Sequence, residues 1–475
     1  MDWITTHPKP ALLICAILLV LVALWLLFAG KAKARVACLG GLTWRRSQFC
    51  RGWLITGDTG SGKTTSGVNQ LAHQVFQNEP TWGGLCIDEK GVYWETLAAM
   101  ARHYGREHDL IHLQIRADDT DTTWAPPHRF NLTGDRSIPF MTYAKFIVDA
   151  ATSLGQSGDK GFFKSQAQTH IAHALEMLFE LSRPVTLLGA FEILSDRDLL
   201  EEEMENLDRL LETPRRVAIH AHFANRLLTQ PDEQLGGVRE TIGNYLQNFL
   251  TPEVAEVFCA SKSTFDFGTI DQGKIILTTM PQKFQTERRY VNTFLKLLFY
   301  NHALRRFDKT RGERDRDNLI ILWADEAQRF MTASEDGTSD YNCVDVIREA
   351  GATIVAAAQS TTSLVPPLGN DKSKVLTLNL RNRLIFRAAD EADAVQAADF
   401  IGKKRVIKRS WGFSAGRRNV NYSETEEHRI KPHKLRILRD HECVLVHCEC
   451  GLRRVTLPPL EPDGTVSRWY SRGWL

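Results

Sequence analysis

Short apolar runs, separated by longer amphipathic segments, dominate the chain after residue 50. Short apolar runs of this kind are typical of buried strands in a parallel sheet. The runs lie at residues 53–55, 85–88, 274–278, 319–324 and 353–358. Helix-type spacing of apolar residues occurs between the runs. The pattern predicts an α/β fold built on a parallel sheet.

One long interval between these runs carries almost no strand signal. Residues 141–262 repeat apolar side chains at spacings of three and four, as in residues 171–179. We therefore predict an all-helical insertion, residues 139–262, within a domain formed by residues 36–138 and 263–475. Four histidines of the insertion are interpreted as packed or solvated side chains rather than metal ligands. They are His170, His173, His220 and His222.

An uncharged apolar stretch, residues 11–30, precedes the strand pattern. Twenty helical residues span about 30 Å, the thickness of a bilayer's hydrocarbon core. Basic residues are concentrated after the stretch, so the positive-inside rule puts residues 31 onward in the cytoplasm. We predict that residues 1–35 form a single-pass membrane anchor. A cleaved signal peptide is the alternative, because Ala32-Lys33-Ala34 resembles a cleavage site, but the stretch is longer than a signal peptide's apolar core.

A glycine-rich loop after the first strand carries the clearest chemistry of the chain. Its sequence matches the phosphate-binding pattern G-x-x-x-x-G-K-[ST] in full. Backbone N–H groups of such a loop surround the phosphates, Lys63 reaches the β- and γ-phosphate oxygens, and the Thr64 hydroxyl binds Mg²⁺. We therefore expect ATP and Mg²⁺ as ligands. The residues predicted to bind nucleotide are Gly57, Asp58, Thr59, Gly60, Ser61, Gly62, Lys63, Thr64 and Thr65.

Polar residues at the ends of later strands are candidates for the rest of this site. Asp325 and Glu326 follow the run at residues 319–324. Asp325 would hold Mg²⁺ through water, and Glu326 would orient or deprotonate the attacking water. Gln359 ends the next strand and would sense the γ-phosphate. Asp88 is a further strand-end residue at the edge where ligands bind in open α/β sheets.

The charge of the whole chain is nearly balanced at +2, so any surface for nucleic acid must be local. Residues 403–440 contain twelve basic and four acidic residues, and Trp411, Phe413 and Tyr422 are interleaved with them. This combination suits single-stranded nucleic acid, because basic groups bind phosphates and aromatic rings stack on bases. A solvated loop and a patch that faces anionic lipid are the alternatives.

The nine cysteines form no C-x-x-C pair, which favours a reducing compartment over a disulfide framework. One cluster has the residue types of a zinc site: Cys443, His447, Cys448 and Cys450. Its spacing lacks the paired ligands of a usual zinc site, and we favour a strand over residues 442–448.

The order of these blocks resembles that of the type IV coupling proteins, the TraG/TraD-like ATPases of conjugation and type IV secretion. The resemblance covers nearly the whole chain after residue 50. The blocks that carry it, besides the anchor and residues 57–64, are residues 86–91, residues 159–167, Asp325-Glu326-Ala327, Arg348-Glu349-Ala350-Gly351 with Gln359-Ser360, and residues 438–448.

This resemblance implies a RecA-like P-loop domain with an inserted all-α domain, similar to FtsK and HerA translocases and assembled as a homo-hexamer in the bacterial inner membrane. It implies that relaxase-bound single-stranded DNA or effector proteins are the cargo and that components of a type IV secretion channel are partners. Arg348 and Arg51 become candidates for an arginine finger that completes a neighbour's site. Unlike many members, the chain has one predicted span and only 26 residues between Gly30 and Gly57.

The resulting hypothesis is a membrane-anchored ATPase that pumps DNA, with or without attached protein, toward a secretion channel during conjugation. Two other functions fit the same motifs. One is a docking adaptor for effectors that uses nucleotide only as a switch, which would bind ATP without DNA-stimulated turnover. The other is an FtsK/HerA-like DNA translocase that is not linked to secretion.

Overall fold

The computed structural model describes residues 35–118, 120–121, 123–155, 161–335, 337–414 and 417–472. The predicted membrane span, residues 11–30, lies outside these ranges. No helix within them is both long enough and apolar enough to cross a bilayer.

A large, mostly parallel sheet forms the centre of the molecule and confirms the predicted α/β class. In the described part of the chain, nine strands join in the order β13-β12-β9-β3-β8-β7-β4-β6-β5. The seven strands from β9 to β5 are mutually parallel. Beyond β9, β12 pairs antiparallel with β9, and β13 pairs antiparallel with β12. The strands are β1 (Arg35–Leu39), β2 (Leu42–Arg45), β3 (Trp53–Thr56), β4 (Gly83–Asp88), β5 (Leu110–Gln114), β6 (Ile275–Thr279), β7 (Ile320–Asp325), β8 (Ala352–Ala358), β9 (Asn382–Ile385), β10 (Lys403–Ser414), β11 (Arg417–His428), β12 (Glu442–His447) and β13 (Gly451–Thr456).

Helices connect these strands, and a long series of them separates β5 from β6. The α-helices are α1 (Arg46–Phe49), α2 (Asn69–Asn78), α3 (Tyr93–His103), α4 (Phe140–Ser153), α5 (Gly161–Glu180), α6 (Leu187–Ser195), α7 (Arg197–Asp208), α8 (Pro214–His222), α9 (Asp232–Leu250), α10 (Pro252–Phe258), α11 (Gln285–Arg305), α12 (Arg311–Arg314), α13 (Asp340–Cys343), α14 (Val365–Leu368), α15 (Asn370–Asn379), α16 (Glu391–Ile401), α17 (Pro432–Arg436) and α18 (Arg468–Arg472).

Alternate side chains of each central strand enter two different hydrophobic cores. Along β7, Ile320 and Leu322 face one core, and Ile321 and Trp323 face the other. The alternation follows from the two-residue repeat of a strand, and burial on both faces explains the continuous apolar runs in the sequence. The second core is covered by α2 and α3, whose buried residues belong to it.

The series from α4 to α10 packs as an extension of the first core. Buried residues of these helices belong to the same hydrophobic cluster as Leu54 and Leu85 of the sheet. Between residues 140 and 258, the described residues form no strand. His170 and His222 are buried in this region, with His170 Nδ1 and His222 Nε2 2.8 Å apart. These two side chains are packed between α5 and α8.

A pair of long strands leaves the body of the molecule. Within the described residues, β10 and β11 pair only with each other, in antiparallel register from Lys403–His428 to Ser414–Arg417. They form a hairpin with twelve residues in each strand. At about 3.4 Å per residue, each strand is roughly 40 Å long.

A fully buried ion pair fixes the chain segment that follows β7. Lys296 on α11 and Asp340 on α13 form an ion pair, and both side chains are 0% exposed. Tyr300 donates to Asp340 Oδ1 at 2.6 Å. The backbone N–H of Thr332 donates at 2.7 Å to Asp340 Oδ2, the oxygen that also contacts Lys296. Desolvation of two charges is offset only when such partners are complete, so the three contacts act as a unit.

Replacement of Lys296 by methionine should therefore destabilise the protein strongly. The variant leaves the Asp340 carboxylate buried without a cation, which typically costs about 3–5 kcal/mol. Urea unfolding of Lys296→Met and of the double variant Lys296→Met/Asp340→Asn measures this cost, and the double variant should recover part of it.

The matched control is Lys372→Met, which removes the lysine of the far more exposed pair with Glu335. We expect a loss below about 1 kcal/mol for this control. A free energy of unfolding for Lys296→Met equal to that of the control would contradict the interpretation.

Candidate active site

Three neighbouring strands bring the predicted site residues together. The order β3-β8-β7 places the loop after β3 next to Gln359, which follows β8, and next to Asp325 and Glu326 at the end of β7. All three strands are parallel, so their carboxyl ends lie at one edge of the sheet. Ligands of open α/β sheets bind beyond this edge.

The glycine-rich loop wraps back on the lysine that it carries. Lys63 Nζ donates to the carbonyl oxygens of Gly57 at 2.7 Å and Asp58 at 3.0 Å. Its side chain is 8% exposed, and burial lowers the pKa of Lys63 below its usual range. An ammonium group held this way lies where it can transfer its hydrogen bonds to phosphate oxygens.

The turn into the following helix depends on glycine. Gly62 has a φ of 101°, and a Cβ atom there would lie 2.6 Å from His441 Nδ1. The chain then forms one π-helical turn, Lys63–Val68, that continues into α2. The N–H groups at this helix terminus face the site and favour an anion.

A hydroxyl and a carboxylate face each other across the edge of the sheet. Thr64 Oγ1 lies 3.5 Å from Asp325 Oδ2. Burial, together with the charges of Asp88 and Glu326, raises the pKa of Asp325 to about 6. Hard oxygen donors in a site with excess negative charge suit Mg²⁺, because the cation would relieve the repulsion among these carboxylates. The residues present therefore fit the predicted metal.

Glu326 is held in an unusual backbone conformation at the end of β7. Its φ is 51°, in the left-handed region that non-glycine residues rarely adopt. Its carboxylate accepts a hydrogen bond from Gln328 Nε2 at 2.7 Å and lies 3.4 Å from Lys90 Nζ. Strained residues of this kind cluster at functional sites, which agrees with the predicted role of Glu326 at the attacking water.

Gln359 and Asp88 lie at the same edge, but they have different local roles. The carbonyl oxygen of Gln359 accepts a hydrogen bond from the Gly57 N–H at 3.3 Å, and its side chain is exposed. Asp88 accepts hydrogen bonds from the N–H groups of Lys90, Val92 and Tyr93, each at 2.8 Å. Asp88 therefore organises the start of α3 and contributes charge to the site.

The chain matches the family model described as the type IV secretion-system coupling protein DNA-binding domain, over residues 36–458. The chain belongs to the type IV coupling protein family. No curated protein matches this chain.

Solved structures of coupling proteins share its fold at low sequence identity. The chain is similar to the bacterial conjugative coupling protein TrwBΔN70 in its unbound form, at 15% identity and a TM-score of 0.67, over 92% of this chain and 90% of that one. The plasmid coupling protein TrwB in complex with ADP and Mg²⁺ aligns at 13% identity and a TM-score of 0.64, over 92% of this chain and 93% of that one. VirB4 of Thermoanaerobacter pseudethanolicus aligns at 13% identity and a TM-score of 0.50, over 93% of this chain and 98% of that one.

The two arginines considered as fingers lie at the other edge of the coupling protein's sheet. Arg51 precedes β3 and forms an ion pair with Glu449 at 2.5 Å. Arg348 lies before β8, is 44% exposed, and has Glu349 at 3.7 Å. Neither residue reaches the glycine-rich loop of its own chain, so either would have to act on a neighbouring subunit.

Two residues that the sequence analysis missed, Arg387 and His441, brace the glycine-rich loop of the coupling protein. Arg387 bridges the carboxylates of Asp58, at 2.8 Å, and Asp440, at 2.7 Å. His441 Nδ1 lies 2.7 Å from Ser66 Oγ, and the His441 N–H donates to the Ser61 carbonyl at 2.9 Å. Arg387 lies two residues beyond the end of β9, a strand-end position that could have been found. His441 follows no comparable pattern.

The residues considered as zinc ligands lie in β12 or directly after it. Cys443 is buried within β12. His447 uses both ring nitrogens, since Nδ1 accepts from the N–H groups of Glu449 and Cys450 at 2.9 Å and Nε2 lies 3.1 Å from the Thr43 carbonyl oxygen. His447 therefore has no free lone pair, and the described residues contain no group of three potential metal ligands.

Asp325→Asn should stabilise the nucleotide-free protein at neutral pH. A carboxyl group whose pKa is raised on folding contributes stability at low pH, and this contribution is lost as the pH rises through the folded-state pKa of about 6. The variant has no charge to bury, so its advantage over the wild type should grow as the pH rises from 3.8, the usual pKa, through about 6. It should reach on the order of 3 kcal/mol at neutral pH.

Urea unfolding at several pH values, without nucleotide or Mg²⁺, measures this difference. The control is Glu240→Gln, a substitution of an exposed residue. Its stability relative to the wild type should not grow with pH in this way. An Asp325→Asn variant whose stability differs from the wild type by the same amount at every pH would contradict the interpretation.

Proposed function

We propose that this coupling protein is an inner-membrane ATPase that recruits and pumps DNA, bound to a relaxase or accompanied by protein, to a type IV secretion channel. The observation that carries the proposal is the convergence of the glycine-rich loop, Gln359, Asp325 and Glu326 at the ends of three adjacent parallel strands. Phosphoryl transfer is catalysed mainly by positioning and charge stabilisation, and each of these residues has a group suited to one of those tasks.

Each side chain has a distinct task in this proposal. The N–H groups of residues 57–64 and the Lys63 ammonium hold the phosphates of ATP. Thr64 and Asp325 hold Mg²⁺, which neutralises charge on the phosphate oxygens. Glu326 orients and deprotonates the attacking water, and Gln359 detects the γ-phosphate. Structures of TrwB in complex with ADP and Mg²⁺ and with a non-hydrolysable ATP analogue support the proposal that this chain binds nucleotide.

The assembly and location belong to the same proposal. A homo-hexamer would bring Arg348 or Arg51 of one subunit to the nucleotide of the next, because both lie away from their own site. Residues 11–30 would anchor the chain in the bacterial inner membrane, with the bulk of the chain in the cytoplasm. Channel components and a relaxase or effector proteins would be its partners.

ATP turnover by the full chain in detergent, with and without single-stranded DNA, tests the proposal. We expect DNA to stimulate turnover several-fold. The variant Lys63→Ala should lower the stimulated rate at least about 100-fold, because Lys63 would contact the transferring phosphoryl group.

Two further variants sharpen the result. Arg348→Ala and Arg51→Ala are measured in the same assay, and the one that supplies the finger should lower turnover without lowering ATP affinity. Tight ATP binding with no stimulation by any DNA would contradict the motor and favour a docking adaptor.

A further inference from the structure

The hairpin of β10 and β11 has two chemically different faces. Residues opposite each other in the register point to the same side of a two-stranded sheet. Arg409 lies opposite Tyr422, and Ile407 and Trp411 lie two residues away on the same strand and therefore on the same face. The opposite face carries Lys408 opposite Ser423. The face that carries Ile407, Arg409, Trp411 and Tyr422 is called the aromatic face below.

The aromatic face is open to solvent. Ile407 is 70% exposed, Trp411 47% and Tyr422 66%. Large apolar side chains grouped on one exposed face usually mark a binding surface rather than a core.

Planar groups are stacked along this face. The Arg409 guanidinium carbon lies 4.0 Å from the centre of the Trp411 ring and 5.8 Å from that of Tyr422. A tryptophan, an arginine and a tyrosine thus form a ladder of flat groups with one positive charge. Nucleobases stack on aromatic rings and on guanidinium planes, and the charge attracts the phosphates that connect them.

The charge distribution along the hairpin favours a polyanion. Residues 408–423 contain four basic residues and no acidic residue. The three acidic residues of the hairpin lie nearer its base, where Glu424 pairs with Arg405 at 3.4 Å and Glu427 with Lys408 at 2.6 Å. The sequence of the outer half of the hairpin therefore carries an excess of basic over acidic residues.

We propose that the aromatic face of the Lys403–His428 hairpin binds single-stranded DNA, with bases stacked on Trp411 and Tyr422 and a phosphate at Arg409. This inference rests on the proposed function, which makes DNA the cargo. A membrane surface would be expected to attract the basic residues of both faces, whereas Lys408 on the other face is paired with Glu427.

The hairpin binds away from the nucleotide, yet one helix joins the two regions. The N-terminal part of α16 is tied to Thr361, two residues after Gln359, because Asp393 accepts hydrogen bonds from the Thr361 N–H at 2.9 Å and Oγ1 at 2.8 Å. The other end of α16 carries Phe400, which packs on Arg383 near the start of β9, and leads directly into β10. The helix α16 therefore connects the hairpin with the loop that follows Gln359.

The test measures the affinity of the full chain in detergent for fluorescein-labelled oligo(dT) by anisotropy, over a series of salt concentrations. The double variant Trp411→Ala/Tyr422→Ala should bind at least about 10-fold more weakly, from the loss of base stacking. Arg409→Gln should lower the slope of log affinity against log salt by about 0.7, the value for one lost phosphate contact with a single strand.

The matched control is Lys408→Gln, which removes one positive charge from the neighbouring residue on the opposite face. It should leave both affinity and slope near those of the wild type. All variants should keep wild-type ATP affinity and thermal midpoint, because the substituted residues are exposed. Equal losses for Lys408→Gln and Arg409→Gln, or wild-type affinity in the double variant, would overturn the inference.

Two further outcomes separate the possible causes of failure. If the wild-type chain binds oligo(dT) and is stimulated by it while the double variant behaves identically, the hairpin inference fails and the proposed function stands. If the wild type binds no DNA, both fail. Limited trypsin digestion in lipid nanodiscs gives the membrane alternative its own readout: protection of the hairpin by oligo(dT) in phosphatidylcholine discs supports the inference, and protection by phosphatidylglycerol discs without DNA overturns it.

Discussion

Parallel pairing of β3 with β8 and of β8 with β7 is the constraint on which the site depends. The register aligns Thr56 with Ala358 and Ala324 with Ala356, so three strands end almost level with one another. Residues far apart in sequence, such as Lys63 and Asp325, thereby meet at one edge without any direct covalent or loop constraint between them. A shift of one residue in either pairing would turn the strands' side chains to the opposite face and separate the candidate site residues.

The site is electrostatically unfavourable before any ligand binds. Asp88, Asp325 and Glu326 lie close enough for Asp88 and Glu326 to raise the pKa of Asp325, and Lys63 is a buried ammonium whose pKa is lowered. The surrounding structure overcomes this cost through backbone hydrogen bonds to Asp88 and through contacts of Arg387 and His441 with the loop. Mg²⁺ would relieve the repulsion among the carboxylates, and phosphate would pair with the buried Lys63 ammonium, which supports the prediction that both bind at this edge.

The sequence predicted those parts of the molecule that depend on local pattern. The apolar runs at residues 319–324 and 353–358 correspond to β7 and β8, and the glycine-rich loop lies between β3 and its helix as expected. The family resemblance is confirmed by the match over residues 36–458. The boundaries of the helical insertion and the roles assigned to Arg348 and Arg51 remain predictions.

Other features depend on contacts between distant segments, which one sequence does not encode locally. The left-handed His441 that braces Gly62 lies nearly 380 residues later in the chain, and its conformation is fixed by the sheet around it. The basic segment at residues 403–440 was interpreted by composition alone. Its alternation places Arg409, Trp411 and Tyr422 on one face only when the cross-strand register is known.

The central claim is that the carboxyl edge of the sheet is an ATP-hydrolysing site in which Glu326 acts on the attacking water. The most direct measurement compares ATP binding and single-turnover hydrolysis in the wild type and in Glu326→Gln. The account predicts ATP affinity within a few-fold of the wild type and hydrolysis slower by at least about 100-fold, because the amide cannot accept the proton. Hydrolysis at the wild-type rate in Glu326→Gln would contradict the account.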